Sequence, residues 1–191
     1  MFTPEYELIR VNDLNKKKKM IKEIYEWLEA VVFSLAIVVL LFTFVFRVVG
    51  VDGDSMLPTL VDGDRVILSN FFYKPERGDI VVTTQPNAVH KPLIKRIIAL
   101  EGQEIDIDFK TGDVKVDGEV LDEKYINART AASGDTAFPL TVPKGKVFVM
   151  GDNRNHSLDS RSSSIGLIDV RYLLGKTVFR IFPFGGFGGI E

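Results

Sequence analysis

The pattern of hydrophobic and polar positions changes character once along the chain, near residue 50. Before that point lies one long apolar run. Ala30 to Phe46 reads AVVFSLAIVVLLFTFVF, without a charged residue. As a helix it would reach about 26 Å, a little short of a hydrocarbon core of about 30 Å. Trp27 and Leu28 below, and Val48 and Val49 above, would complete a span over 30–49, with Arg47 snorkelling. A buried soluble helix would show a polar face, and this run has none.

After residue 50 the apolar segments become short and are punctuated by Gly, Pro and Asp, the pattern of an all-β domain. It predicts strands at Val48–Val51, Arg65–Leu68, Asp79–Thr84, Leu93–Leu100, Glu104–Asp108, Val114–Val116, Lys146–Met150 and Lys176–Phe182. Asp62-Gly63, Lys110-Thr111-Gly112, Asp117-Gly118 and Pro143-Lys144-Gly145 supply the turns between them. The stretch 104–140 is more polar and holds the two best hairpins, so it is expected as an inserted β subdomain. The expected fold is mostly β: a single N-terminal transmembrane helix, then an antiparallel β-sheet domain over 50–103 and 141–191. Phe71-Phe72-Tyr73 and the aromatic tail from Phe182 to Phe187 are expected to pack as core or in turns.

Charge fixes an orientation for the helix. Arg10, Lys16, Lys17, Lys18, Lys19 and Lys22 precede the run, whereas only Arg47 and Arg65 lie in or close behind it. That imbalance predicts residues 1–29 in the cytoplasm and everything beyond the anchor on the far side. The run exceeds a secretory signal core, and VFRVVGVDGD after it offers no convincing small-x-small cleavage site, so it is expected to remain as an anchor.

Composition narrows the chemistry. A formal net charge of -2 over 191 residues gives no basic face for a phosphate backbone, which argues against nucleic acid. Cysteine is absent, and His90 and His156 are the two histidines, so a thiol nucleophile is excluded and no metal site or cofactor is expected.

Three segments carry reactive groups. In Gly53–Leu60, GDSMLPTL, Ser55 sits in a turn between a glycine and a proline. In Pro92–Gly102, PLIKRIIALEG, Lys95 and Arg96 interrupt an apolar strand, where neighbouring residues point to opposite faces. A lysine held among aliphatic groups loses affinity for its proton, whereas an arginine stays charged. Lys95 is therefore a credible base. The third segment, GDNRNHSLDSR from Gly151 to Arg161, is a dense polar loop directly after the apolar strand KVFVM. A histidine-based triad through His156 is the rival enzyme reading, and a membrane-tethered scaffold the non-enzymatic one.

Together these segments, with RGDIVV at 77–82 and the anchor, resemble the boxes of the type I signal peptidase family in the expected order. The resemblance implies Ser55 as nucleophile and Lys95 as its base. It also implies Ser157 orienting the amine, support from Asp152 and an Asp159–Arg161 pair, and the Ser55 N–H donating to the oxyanion. Gly53 replaces a serine that other members use as a second oxyanion donor, which resembles the Gram-positive branch. The implied substrate is a signal-peptide-bearing preprotein with an Ala-x-Ala type site, bound by strand addition along Val49, Val51, Gly53, Asp54 and Met56 on one side and Leu93 and Ile94 on the other. The lipid bilayer is the other implied partner, with the secretion translocon a candidate neighbour. Ser55 follows Phe46 closely enough to stay within about 30 Å of the bilayer.

Overall fold

The computed structural model describes residues 4–44, 46–87 and 90–190, with the side chains of 4–14, 42 and 44 left aside. Met1 to Thr3 of the basic segment and Val45 of the expected span lie outside the described residues. The chain divides into two compact units, Met1–Val45 and Phe46–Glu191.

The first unit is a single helix, α1, Pro4–Phe44. Within it Asn15–Leu41 is long and apolar enough to cross a membrane, with a window of mean hydropathy 2.1 and none of it buried. The expected span to residue 49 needs correction. Phe46–Gly50 is a strand, β1, whose Val48 and Val49 pair with Ile67 and Val66 of β2, Arg65–Ser69. A hydrophobic run does not itself distinguish helix from strand, and here pairing with β2 decides.

The second unit is built on an antiparallel sheet. Its further strands are β3 (Ile80–Thr83), β4 (Leu93–Ala99), β9 (Lys146–Met150), β10 (Ile168–Asp169) and β11 (Leu173–Phe182). The order is β1-β2-β11-β3-β4-β9-β10, and β12, Gly188–Gly189, pairs with β11. β1 is thus an edge strand. The four residues of β3 are all buried, and it contributes to two hydrophobic clusters: Ile80 and Val82 join Met56, Leu60, Val66 and Leu68, while Val81 joins Ile97, Val149 and Ile168. Such double-sided burial matches its uninterrupted apolar run, which shows no alternation.

A second sheet, order β7-β6-β5-β8, is formed by β5 (Glu104–Asp108), β6 (Asp113–Val116), β7 (Glu119–Val120) and β8 (Leu140–Thr141). Alternation is clean here: Ile105, Ile107, Val114 and Val116 are buried and their neighbours are more exposed. Those four side chains pack with Ile98, Ala99, Phe148 and Met150 of β4 and β9, so the two sheets share one hydrophobic cluster. Asp117 takes the positive φ that the β6–β7 hairpin requires, together with Gly118.

The aromatic expectation is also corrected. Phe71, Phe72, Phe182, Phe184 and Phe187 are all exposed, whereas Tyr73 is partly buried and packs against the cluster around Val81. Phe71 and Phe72 sit in a turn where each ring meets the other edge-on, leaving their outer faces to solvent.

Candidate active site

Ser55 lies in the turn between β1 and β2, and Lys95 lies on β4. The Nζ of Lys95 is 2.6 Å from Ser55 Oγ and donates a second bond, 3.0 Å, to the Ile94 carbonyl. Lys95 is only 3% exposed. Burial pulls its pKa down to about 8, against the opposing pull of the Asp159 and Asp152 carboxylates, while Arg161 adds to the lowering. An amine in this state can accept a proton from a hydroxyl at hydrogen-bond distance.

Arg96, the next residue, is equally buried and is paired. Its Nε and Nη2 donate to the two oxygens of Asp152 at 2.9 and 2.8 Å, and its Nη1 donates to the Gly78 carbonyl at 2.7 Å. The Thr59 hydroxyl donates to the same Asp152 carboxylate. Asp152 therefore joins the strand of Lys95 to the segment just beyond Ser55. Arg161 grips Asp159 in the same bidentate way, both bonds 2.8 Å, and Asp159 accepts the Gly151 N–H at 3.0 Å.

Ser157 does not make the bond implied for it. Its Oγ is buried without a hydrogen-bond partner among the described residues, and Ile94 takes the second Lys95 bond instead. Space around that hydroxyl is tight. A Cβ on Gly151 would stand 2.3 Å from both Ser157 Oγ and the Ser55 carbonyl oxygen, so only glycine fits where loop and nucleophile turn meet. His156, the rival base, is exposed and its backbone N–H donates to the Asn153 carbonyl.

Beside the Ser55–Lys95 contact opens a cleft of about 350 Å³ whose lining includes Val49, Val51, Met56, Leu93 and Ile94. Gly53 and Asp54, also expected to bind substrate, are not in that lining: they are exposed, and the Gly53 N–H donates instead to Asp62 Oδ1 at 2.8 Å. Val82, Asp52 and Lys91 enter the cleft wall, the last two joined by an exposed ion pair at 3.0 Å. The pairing pattern leaves backbone free where the cleft runs. β9 pairs with β4 only from Arg96 onward, and β1 has a partner on one side.

Several groups at the site went unassigned in the sequence. Arg154 is fully buried, bonded to Glu123 from the excursion between β7 and β8 (Nη1 to Oε2, 2.7 Å), to Thr130 and to the Gly151 carbonyl. The Tyr125 ring lies 4.0 Å from the Arg96 guanidinium and 5.8 Å from that of Arg154. Arg154 was visible within GDNR, but Glu123 and Tyr125 stand in an aperiodic stretch with no local signal. Asn153 reaches the Ser55 turn directly: its N–H donates to the Ser55 carbonyl at 3.1 Å and its Nδ2 to the Asp54 carbonyl at 3.0 Å.

The family model described as signal peptidase, peptidase S26, matches residues 24–182. Signal peptidase I S of Bacillus subtilis (strain 168) is 36% identical over 181 residues, covering 89% of this chain and 94% of that protein. Signal peptidase IB of Staphylococcus aureus (strain COL) is 34% identical over 186 residues, covering 88% and 94%. Among solved structures, a signal peptidase I from Enterococcus faecalis V583 is similar with a TM-score of 0.46 and 28% identity, over 55% of this chain and 97% of that one. A match from the middle of the N-terminal helix to the end of β11, and relatives aligned over nearly their whole length, leave one conclusion: the chain belongs to the signal peptidase family, peptidase S26.

Proposed function

We propose that the chain is a membrane-anchored serine endopeptidase that removes signal peptides from exported preproteins, cutting after small residues of the Ala-x-Ala type. The observation that carries the chemistry is the buried Lys95 amine 2.6 Å from the Ser55 hydroxyl. Ser55 Oγ attacks the scissile carbonyl carbon as its proton passes to the neutral Nζ of Lys95. The carbonyl electron pair moves onto oxygen, next to the Ser55 N–H, which has no hydrogen-bond partner among the described residues. Collapse breaks the C–N bond, and the proton on Nζ goes to the departing amine of the mature protein. Water then attacks the Ser55 ester, with Lys95 again taking the proton; the acyl C–Oγ bond breaks, Nζ returns that proton to Ser55 Oγ, and the signal peptide leaves with a free carboxyl terminus.

Substrate geometry follows from free backbone. A peptide laid in the cleft can pair with the open side of Leu93–Lys95 and with the edge of β1, its alternate side chains facing Val49, Val51 and Ile94. Ser157 is the group to orient the Lys95 amine, by a rotation of its unpartnered hydroxyl once substrate is bound. Asp152, Asp159 and Arg161 are positioning groups.

The basic flank supports an N-terminus in the cytoplasm, with the β domain on the outer side of the cell membrane. The partners of this reading are the preprotein and the bilayer, with the secretion translocon a candidate neighbour. The deciding experiment is cleavage of a short Ala-x-Ala peptide by the detergent-solubilised chain across pH, in wild type, Ser55→Ala and Lys95→Arg. Both variants lose cleavage while staying folded; an active Lys95→Arg would sink the neutral-amine base.

A further inference from the structure

The loop after β9 is wrapped by a segment that takes no part in this chemistry. Residues 123–136, in the excursion between β7 and β8, run along it and bond to it repeatedly. Asn155 is the centre of that contact. Its Oδ1 accepts the backbone N–H groups of Ala131 and Ala132, both at 2.9 Å, and its Nδ2 donates to the Arg129 carbonyl at 3.1 Å. One carboxamide thus uses three of its four hydrogen-bonding capacities on the backbone of a single short segment.

What is held there reaches the site. The Ala132 carbonyl, one peptide unit from Asn155, accepts Arg161 Nη1 at 2.7 Å. The other guanidinium nitrogens of Arg161 hold Asp159, which holds the Gly151 N–H against the Ser55 turn. On the near side Asn127 donates to Asn153 Oδ1 at 3.1 Å, fixing the amide whose Nδ2 bonds the Asp54 carbonyl. The charged groups that act on the Lys95 amine are Asp159, Asp152 and Arg161, and two of the three hang on this arrangement.

We propose that Asn155 is a positioning residue for the peptidase reaction, latching residues 129–132 onto the loop so that Arg161, Gly151 and the Ser55 turn keep their reacting geometry. The proposal rests on the Ser55–Lys95 reading. Without the carboxamide, Ala131 and Ala132 lose their partners and Arg161 loses a fixed carbonyl, so the charges that act on the Lys95 amine are no longer held in place.

The test uses the full chain in detergent with an Ala-x-Ala peptide, measuring kcat and KM from about pH 6 to 10 alongside the folded fraction. Asn155→Ala is expected to lower kcat by about tenfold or more with KM within about twofold, and to move the acid limb to higher pH. Asn155→Ser, too short to reach both N–H groups, gives the same reading should Asn155→Ala fail to fold. A kcat that falls only in proportion to folded fraction, with the acid limb unmoved, overturns the proposal. Ser55→Ala and Lys95→Ala run beside them as controls, because activity in either would overturn the dyad and not the role of Asn155.

Discussion

Arg96 and Asp152 face each other in a fully buried bidentate pair, 2.9 and 2.8 Å, and the same carboxylate holds the hydroxyl of Thr59 four residues after the nucleophile. The strand of Lys95, the segment after Ser55 and the loop after β9 therefore meet at one charge. Removing one partner strands the other in the interior. Asp152→Ala is expected to cost about 3–5 kcal/mol in urea unfolding of the solubilised chain. Arg96→Lys keeps the charge but loses the fork, and should cost less while still lowering cleavage. An Asp152→Ala chain as stable as wild type would contradict the pairing.

The pH dependence of cleavage has a predictable sign. In the proposed dyad Lys95 must be neutral to act as base, and burial pulls its pKa down to about 8. kcat/KM should climb about tenfold per pH unit below 8 and level off above it, leaving roughly one enzyme in ten active at pH 7. A profile flat from about pH 6 to 9 would exclude the Lys95 amine as the titrating group.

Stability should follow the same lysine. Its folded pKa, about 8, lies below the ordinary 10.5, so between these values only the unfolded chain holds the proton. Stability therefore rises with pH across that window, by about 3 kcal/mol at most, and is flat on either side of it for this group. Lys95→Met should remove this rise in urea unfolding measured at both ends of the window.

Gly151→Ala tests the close approach of loop and nucleophile. The added methyl would press on the Ser55 carbonyl and on Ser157 Oγ. Expected are a loss of about 1–3 kcal/mol in stability and a fall in kcat larger than the folded fraction explains. Wild-type kcat in this variant would show that the nucleophile turn tolerates displacement.

His156→Ala should retain most of its cleavage activity, since the side chain is exposed and lies apart from the Lys95–Ser55 bond. Loss of activity there, with Lys95→Ala still active, would favour the histidine triad.

Gly53 has φ +88°, with open space where a Cβ would project. A serine there meets no steric clash but adopts a backbone conformation that costs about 1 kcal/mol. Gly53→Ser should therefore be mildly destabilised in urea unfolding and gain no activity, because the hydroxyl is not held toward the cleft.

The regular part of this molecule was legible because its hydrophobic pattern is local. β5 and β9 have the expected bounds, and β4 is shorter than expected by one residue. β8, β10 and β12 escaped because two-residue strands are defined by their partners and carry no period of their own. The same distinction divides the site. Ser55, Lys95 and the polar loop announce themselves by being out of place in their surroundings. Glu123, Tyr125 and Asn155 look like ordinary surface residues until the fold brings Glu123 to Arg154, Tyr125 to Arg96, and Asn155 to the 129–132 backbone. The exposed phenylalanines were misjudged for a related reason: composition favours burial, but no strand places those positions inward.

The hydrophobic cluster common to the two sheets has a consequence for anyone exchanging parts between relatives. Ile98, three residues after Lys95, and Phe148 and Met150, just before Gly151, form the floor on which Ile105 and Val116 rest. Transplanting 104–141 from another member without its matching floor would open voids directly under the two segments that bear the base and its supports. The small sheet is inherited together with the strands beneath it, and a graft that respects its visible ends alone would arrive without half of its own interior.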